Sequence, residues 1–200
     1  MQNKESYLTK QELEKKIIDK ILPIELNRIL SAYEMAENAH ANHLDRAGIP
    51  AFFHVTRVCR ILIDELLIYE SDLIIASLLH DIYQTSNEIN TEIISYNFGP
   101  YVAFLIDEIP NNYSYDNFES FNSKTFSIDN IRVPFDDYFI IRLSQHLDNF
   151  RTLGFNPSFN PINYVNDITK KYLNITDKTD NPKIKYLIEE LKKERNKFLC

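Results

Sequence analysis

Apolar residues recur every three or four positions along most of this chain, which is the spacing of an amphipathic helix. Asp72 to Ile82 is apolar on nearly every side, so we expect that segment at the centre of the fold. Prolines or glycines separate most of the segments, for example Pro23, Gly48 with Pro50, Gly99-Pro100 and Gly154. The pattern predicts an all-α protein with helices over Gln11 to Leu22, Glu25 to about Asn42, Val55 to Ile68, Asp72 to Ile82, Asn87 to Asn97, Tyr101 to Ile109, Asp136 to Leu153, Ile162 to Leu173 and Ile184 to Phe198.

Residues 111–134 break this periodicity. They are rich in Asn, Ser, Asp and aromatic residues and carry no sustained repeat, which predicts a long loop or lid. The aromatic residues of this segment either cover the core or stack on a base, and the first is the more frequent arrangement.

Composition narrows the class of protein. The chain has 200 residues, of which 44% are hydrophobic, and this suits one domain with its own core. A net charge of −7 disfavours a nucleic-acid partner, because phosphate backbones bind clustered Lys and Arg. No segment approaches the roughly 20 apolar residues of a membrane helix. Only two cysteines occur, Cys59 and Cys200, so we expect a reduced, cytoplasmic protein without membrane contact.

Three residues carry a chemical signal. His54 lies near the start of one predicted helix, and His80-Asp81 closes the next. If the intervening loop is short, the two helix ends meet and offer two imidazoles and a carboxylate to a metal ion. Nitrogen and oxygen ligands without a thiolate suit Mn, Fe, Zn or Mg, and an open position on such an ion favours phosphate ester hydrolysis. His40 and His43, three residues apart, are interpreted as part of a solvated helix face.

A longer set of short segments accompanies these three residues. The segments are Ala36-Glu37-Asn38-Ala39-His40, Gly48-Ile49-Pro50, His54, Ala76-Ser77-Leu78-Leu79-His80-Asp81, Thr91-Glu92-Ile93, Phe98-Gly99, and Leu147-Asp148-Asn149-Phe150-Arg151-Thr152-Leu153. In order and spacing, from about residue 26 to 154, they resemble the HD superfamily, and within it the hydrolase domain of (p)ppGpp synthetase/hydrolase enzymes, including the stand-alone small alarmone hydrolases. The resemblance implies an all-helical HD bundle, with one domain over residues 1–200 and a C-terminal helical extension over 155–200.

The resemblance also implies a manganese site, and here the chain departs from the family. The family's four ligands correspond to His54, His80, Asp81 and Gln145, where the family has an Asp at the last position. A neutral amide is a weaker ligand than a carboxylate. His146 is adjacent in sequence, and Asp148 lies three residues on, so either one is an alternative fourth ligand.

The resemblance also places the family's Glu-Asp pair, which positions the attacking water, on Gln84 and Thr85. Neither of these side chains can act as a base near neutral pH.

For the substrate, the resemblance implies contacts from Asn149 and Arg151. The family's Arg before the Gly-x-Pro motif falls on Asp45, with Arg46 one place later, and its Tyr falls on Ala51. Arg46 is therefore the candidate phosphate contact in that loop.

Two hypotheses remain open. The first is a metal-dependent phosphohydrolase acting on a nucleotide phosphate or pyrophosphate ester, with altered substrate or reduced activity. The second is a catalytically degenerate HD protein that binds a nucleotide or a protein partner without hydrolysis. The changes at Asp45, Gln84, Thr85 and Gln145 favour the second more than any one of them alone would.

Overall fold

The computed structural model describes residues 7–44, 48–107, 126–128, 131–133, 135–153, 161–172 and 179–199. It has two compact units, residues 1–107 and 108–200. The prediction of an all-α protein is confirmed, with one short hairpin added. The helices of the first unit are α1 (Lys10–Ile17), α2 (Pro23–His40), α3 (Ala51–Arg60), α4 (Ser71–Leu79), α5 (Ile82–Thr85), α6 (Thr91–Phe98) and α7 (Pro100–Ile106), and those of the second are α8 (Phe135–Thr152), α9 (Pro161–Tyr172) and α10 (Pro182–Leu199).

Local sequence sets the start of the first two helices. Thr9 caps α1 by accepting from the backbone N–H of Glu12, whose carboxylate in turn accepts from the Thr9 backbone. This reciprocal pair satisfies two amide groups that a helix start leaves unpaired. The expectation that the first helix continues to Leu22 is wrong, because α1 ends at Ile17. Pro23 is instead the first residue of α2, where its missing N–H costs nothing.

Helix α4 is the centre of the first unit, as its apolar sequence predicts. All residues from Leu73 to Leu79 are buried, and the helix packs against α2, α3 and α7. Between α3 and α4 the chain makes a π-helical turn, Ile61–Glu65. Leu67 then adopts a left-handed φ of 52°, which lets the chain reverse towards α4. Helix α4 thereby returns antiparallel beside α3, so the start of α3 faces the end of α4.

One arginine ties three helices of this unit together. Arg28 of α2 forms ion pairs with Glu25 at 2.7 Å and with Asp72 of α4 at 2.9 Å. Its guanidinium also donates to the carbonyl of Phe98, the last residue of α6, at 2.8 Å. Gly99 follows with φ +94°, a conformation that side chains disfavour, and Pro100 begins α7. The predicted break at Gly99-Pro100 is therefore confirmed.

In the second unit, α8 packs along α10, and α10 also contacts α9. The hairpin pairs β1 (Phe126–Ile128) with β2 (Ile131–Val133) in antiparallel register, with Phe126 opposite Val133. The prediction of loop over 111–134 is wrong for these two strands, and the rest of that segment lies outside the described residues. Along the described part of the chain, no helix combines the length and apolar character that crossing a bilayer requires.

Candidate metal centre

The candidate site lies where α4 ends and the short helix α5 begins. His80 is the residue after α4 and still has helical dihedral angles, while Asp81, with φ −105° and ψ 8°, turns the chain into α5. His54 is the fourth residue of α3. The antiparallel arrangement of α3 and α4 brings it to this turn, as the sequence predicts.

The donor atoms of these three residues converge. The two Nε2 atoms of His54 and His80 are 3.2 Å apart, and the Oδ2 atom of Asp81 is 3.4 Å from the His80 nitrogen and 3.8 Å from that of His54. All the donor atoms lie within 4.8 Å of one another. The His80 imidazole is almost fully buried, with its side chain 3% exposed, whereas Asp81 is 20% exposed. The cluster is therefore anchored in the core and reachable from solvent.

A hydrogen bond fixes which nitrogen of His80 faces the cluster. Its Nδ1 lies 2.8 Å from the carbonyl oxygen of Ser77, one turn earlier in α4. Because a carbonyl only accepts, Nδ1 carries the proton and the lone pair of a neutral His80 is on Nε2. Metal-binding histidines are commonly oriented through such a bond to a backbone carbonyl.

This donor set fits a divalent ion. His54, His80 and Asp81 would supply two nitrogens and one oxygen, a mixture that suits Mn, Fe or Zn. When bound, such an ion lowers the pKa of a coordinated water and polarises a phosphoryl oxygen. The three residues thus provide a partial coordination shell with room for other ligands.

Gln84 and Thr85, at the positions where the family has its Glu-Asp pair, have other partners. Gln84 donates from its amide nitrogen to Oδ1 of Asp81 at 3.1 Å. The Thr85 hydroxyl donates to the Ile82 carbonyl at 3.1 Å, within its own helix. Gln84 therefore orients the Asp81 carboxylate, with Oδ1 held by the amide and Oδ2 directed to the histidines.

The interpretation of His40 as part of a solvated helix face is wrong. His40 is buried, with only 1% of its surface exposed, whereas His43 is exposed. Its Nδ1 lies 2.7 Å from the Ala36 carbonyl. Ile29, Tyr33 and Ala36 of the same helix are also buried. Their spacing of four, three and four residues, continued to His40, is the sequence signal that could have predicted its burial.

The remaining candidate ligands, Gln145, His146 and Asp148, lie on α8 in the second unit. The carbonyl oxygen of Gln145, the atom that would bind a metal, accepts from Arg142 at 3.1 Å. His146 Nδ1 lies 3.0 Å from the Tyr164 hydroxyl, which also accepts from the Asn149 amide at 3.0 Å. Gln145 and His146 thus each have a partner within this unit.

Asp148 and Arg151, two other predicted site residues, also lie on α8 in this unit. Asp148, the alternative fourth ligand, is buried in α8. Arg151 forms ion pairs with Glu190 at 3.6 Å and Glu194 at 3.9 Å, both in α10. The roles of these residues stay predictions.

Of the predicted substrate-contact positions before and at the start of α3, the structure describes Ala51 only. Asp45 and Arg46 lie outside the described residues, so the structure gives them no place. Ala51 is the first residue of α3, three residues before His54. Its small side chain stands where the resemblance has a tyrosine, at the entrance of the helix that carries the first metal-binding candidate.

Comparison with known proteins agrees with this fold. A solved structure of a metazoan protein, described as an ortholog of SpoT that hydrolyses ppGpp and plays a role in starvation responses, superimposes with a TM-score of 0.63 at 21% identity, covering 84% of this chain and 95% of that one. A putative chloroplastic GTP diphosphokinase, RSH1, of Oryza sativa subsp. japonica is 34% identical over 93 residues, which are 46% of this chain and 10% of the relative. The chain thus spans a tenth of the length of this curated relative. Residues 32–175 match the HD domain family, and the chain belongs to that family.

Proposed function

We propose that this protein is a metal-dependent phosphohydrolase that acts on a nucleotide phosphate or pyrophosphate ester. The observation that carries the proposal is the convergence of His54, His80 and Asp81, with donor atoms within 4.8 Å of one another at a solvent-reachable turn. The metazoan structural neighbour is described as hydrolysing ppGpp, so a guanosine pyrophosphate is the first substrate to test. Manganese is the proposed ion, with Fe or Zn as alternatives.

The residues around the ion support slow rather than fast turnover. Neither Gln84 nor Thr85 can accept a proton near neutral pH: the Gln84 amide donates to Asp81, and the Thr85 hydroxyl donates to the Ile82 carbonyl of its own helix. A general base typically contributes about 10²- to 10⁴-fold to a rate. We therefore expect hydrolysis well below that of an HD enzyme that keeps the Glu-Asp pair.

A second candidate function is binding without hydrolysis. It is favoured by the same two positions and by Gln145, whose amide oxygen is held by Arg142. In that case the site would bind a nucleotide-like ligand or a partner protein and leave it intact. The buried thiol of Cys59 and the acidic net charge support a reducing, cytoplasmic setting for either function, without nucleic-acid partners.

The decisive experiment measures metal and turnover together. Purified protein and its His80→Ala variant are analysed for metal by elemental analysis, before and after incubation with Mn²⁺, and each is assayed for pyrophosphate release from ppGpp. We expect about one ion per wild-type chain and slow release. The variant should lose both, because it lacks the ligand that Ser77 orients. His43→Ala, which removes an exposed histidine, is the matched control and should retain both.

Three results separate the candidates. Metal with turnover supports the hydrolase. Metal or nucleotide binding without turnover, across ppGpp and other nucleotide esters, leaves the binding protein. Wild-type protein that takes up no metal even from excess Mn²⁺ contradicts the hydrolase and the metal centre alike.

A further inference from the structure

Helix α2 places a third histidine beside the candidate metal centre. His40 is the last residue of α2, and α2 packs against both α4 and α5, the helices on either side of His80-Asp81. Among the residues that the structure describes, Asp81, His80 and His43 act electrostatically on His40. Burial lowers the pKa of His40, which keeps its ring neutral near pH 7.

The ring of His40 has one satisfied nitrogen and one unsatisfied nitrogen. Its Nδ1 is 2.7 Å from the Ala36 carbonyl, so that nitrogen is the donor and the lone pair lies on Nε2. The Nε2 atom is buried and has no hydrogen-bond partner among the residues that the structure describes. A buried polar atom without a hydrogen-bond partner is costly, and such groups are rare in folded proteins. The orphaned acceptor therefore indicates a missing donor.

The tautomer of His40 repeats that of His80. In both residues Nδ1 faces a backbone carbonyl of the same helix, at 2.7 and 2.8 Å, and Nε2 remains as an acceptor. His40 nevertheless stands outside the group whose donor atoms lie within 4.8 Å of one another. Two ligands of one ion that are each about 2.1 Å from it lie closer together than that. A direct bond from His40 to the ion that the other three hold is thus disfavoured, and a bridge through one water fits better.

We propose that His40 is an outer ligand of the metal centre, whose Nε2 accepts a hydrogen bond from a water held by an ion at His54, His80 and Asp81. The proposal rests on the metal centre of the proposed function but not on hydrolysis. It gives the buried acceptor its donor. It also supplies an anchor for bound water in a chain where the family's Glu-Asp pair is replaced by Gln84 and Thr85.

The test removes the Nε2 acceptor and keeps the Nδ1 donor. In His40→Asn the side-chain amide N–H can still donate to the Ala36 carbonyl, but nothing reaches the position of Nε2. Mn²⁺ affinity is measured by electron paramagnetic resonance of the unbound ion, and the melting temperature of the metal-free protein is recorded in parallel. Outer partners of metal sites change metal affinity by about 10- to 100-fold. We expect Mn²⁺ to bind at least about tenfold more weakly to His40→Asn, and unchanged melting without metal.

Two further variants sharpen the result. His43→Asn changes the exposed histidine three residues on and should bind Mn²⁺ like the wild type. His40→Gln places an amide nearer the position of Nε2 and should recover part of the lost affinity. A purely structural role for His40 predicts the opposite pattern, in which metal-free melting falls and Mn²⁺ affinity of the folded variant is unchanged.

A measurement on the wild-type protein keeps the proposal testable if the His40 variants do not fold. Side-chain ¹⁵N spectra of the five histidines are recorded with and without Zn²⁺, and the ring resonances of His40, assigned through their correlation to its own backbone, are followed separately from those of His80. The Nε2 of His40 should shift as an acceptor gains a hydrogen bond. No shift, or His40→Asn with wild-type affinity, overturns the role of His40 and leaves the proposed function standing. Wild-type protein that binds no metal overturns both, whereas metal binding that depends on His40 without hydrolysis overturns the hydrolase alone.

Discussion

Arg28 offers a stability test that leaves the candidate site untouched. Its guanidinium pairs with Glu25 and Asp72 and donates to the Phe98 carbonyl, so it joins α2, α4 and the end of α6. The perturbation is Arg28→Met, which keeps an apolar stem and removes the charge and all of these hydrogen bonds. Phe98 is buried, so its carbonyl loses a partner that water replaces poorly.

The magnitude follows from the exposure of the contacts. A hydrogen bond to a charged group contributes about 1.5–3 kcal/mol, whereas an exposed ion pair contributes about 0–1 kcal/mol. The Arg28 side chain is 30% exposed, and its two carboxylate partners are exposed to a similar degree. We therefore assign about 0.5–1 kcal/mol to each of the three contacts. The unfolding free energy should fall by about 2 kcal/mol in total.

Urea unfolding at neutral pH measures this change. The control is Lys16→Met, which removes an ion pair with Asp64 at 2.8 Å whose two side chains are each 37% exposed. That variant should stay within about 0.5 kcal/mol of the wild type. A double-mutant cycle of Arg28→Met with Asp72→Asn should give a coupling of about 1 kcal/mol. An Arg28→Met variant as stable as the Lys16→Met control would refute the claim that this network stabilises the first unit.

Three other predictions concern single side chains. The Ser71 hydroxyl, and then Arg28, hold the pKa of Glu25 below its usual value of 4.5. The stability that Glu25 contributes is therefore present above that pKa and lost as pH falls through the lower folded value, so acid unfolding curves of the wild type and Glu25→Gln should differ near neutral pH and converge in acid. Gln84→Glu restores a carboxylate beside Asp81, and with Mn²⁺ present it should raise phosphate ester hydrolysis by about 100-fold; an unchanged rate would show that no general base is missing there. Burial raises the pKa of the Cys59 thiol to about 12. In a Cys200→Ser background, a thiol reagent should therefore label Cys59 only after unfolding. Labelling of the native protein at the rate of a free thiol would contradict this burial.

The helical fold was predictable because the apolar spacing of three and four residues is clear in α2, α3 and α8 and needs no knowledge of tertiary contacts. Helix ends were less accurate. The Thr-x-x-Glu pattern at Thr9 and Glu12 is a capping box that marks the start of α1 one residue before the prediction. The hairpin was missed because three-residue strands are too short to show an alternating pattern.

For the candidate site, the convergence of His54 with His80-Asp81 followed from two helices joined by a short connection. The partners of the other residues could not be read in this way. Whether Gln84 reaches Asp81, and whether Arg142 holds Gln145, depends on side-chain directions that residue types do not determine. The burial of His40 was readable from spacing, but a histidine at a helix end is polar enough to be assigned to solvent.

The connection between α3 and α4 has a further consequence for the metal-bound protein. His54 and His80 are separated by 26 positions, and an ion held by both would close that stretch of chain into a loop. A covalent bridge over a loop of this size lowers the entropy of the unfolded chain by an amount worth about 3.5 kcal/mol. A bound ion would act as a reversible staple of the same kind. Amide exchange in α3, the π-helical turn and α4 should then slow when metal is added, more than in α1, which lies outside the closed loop.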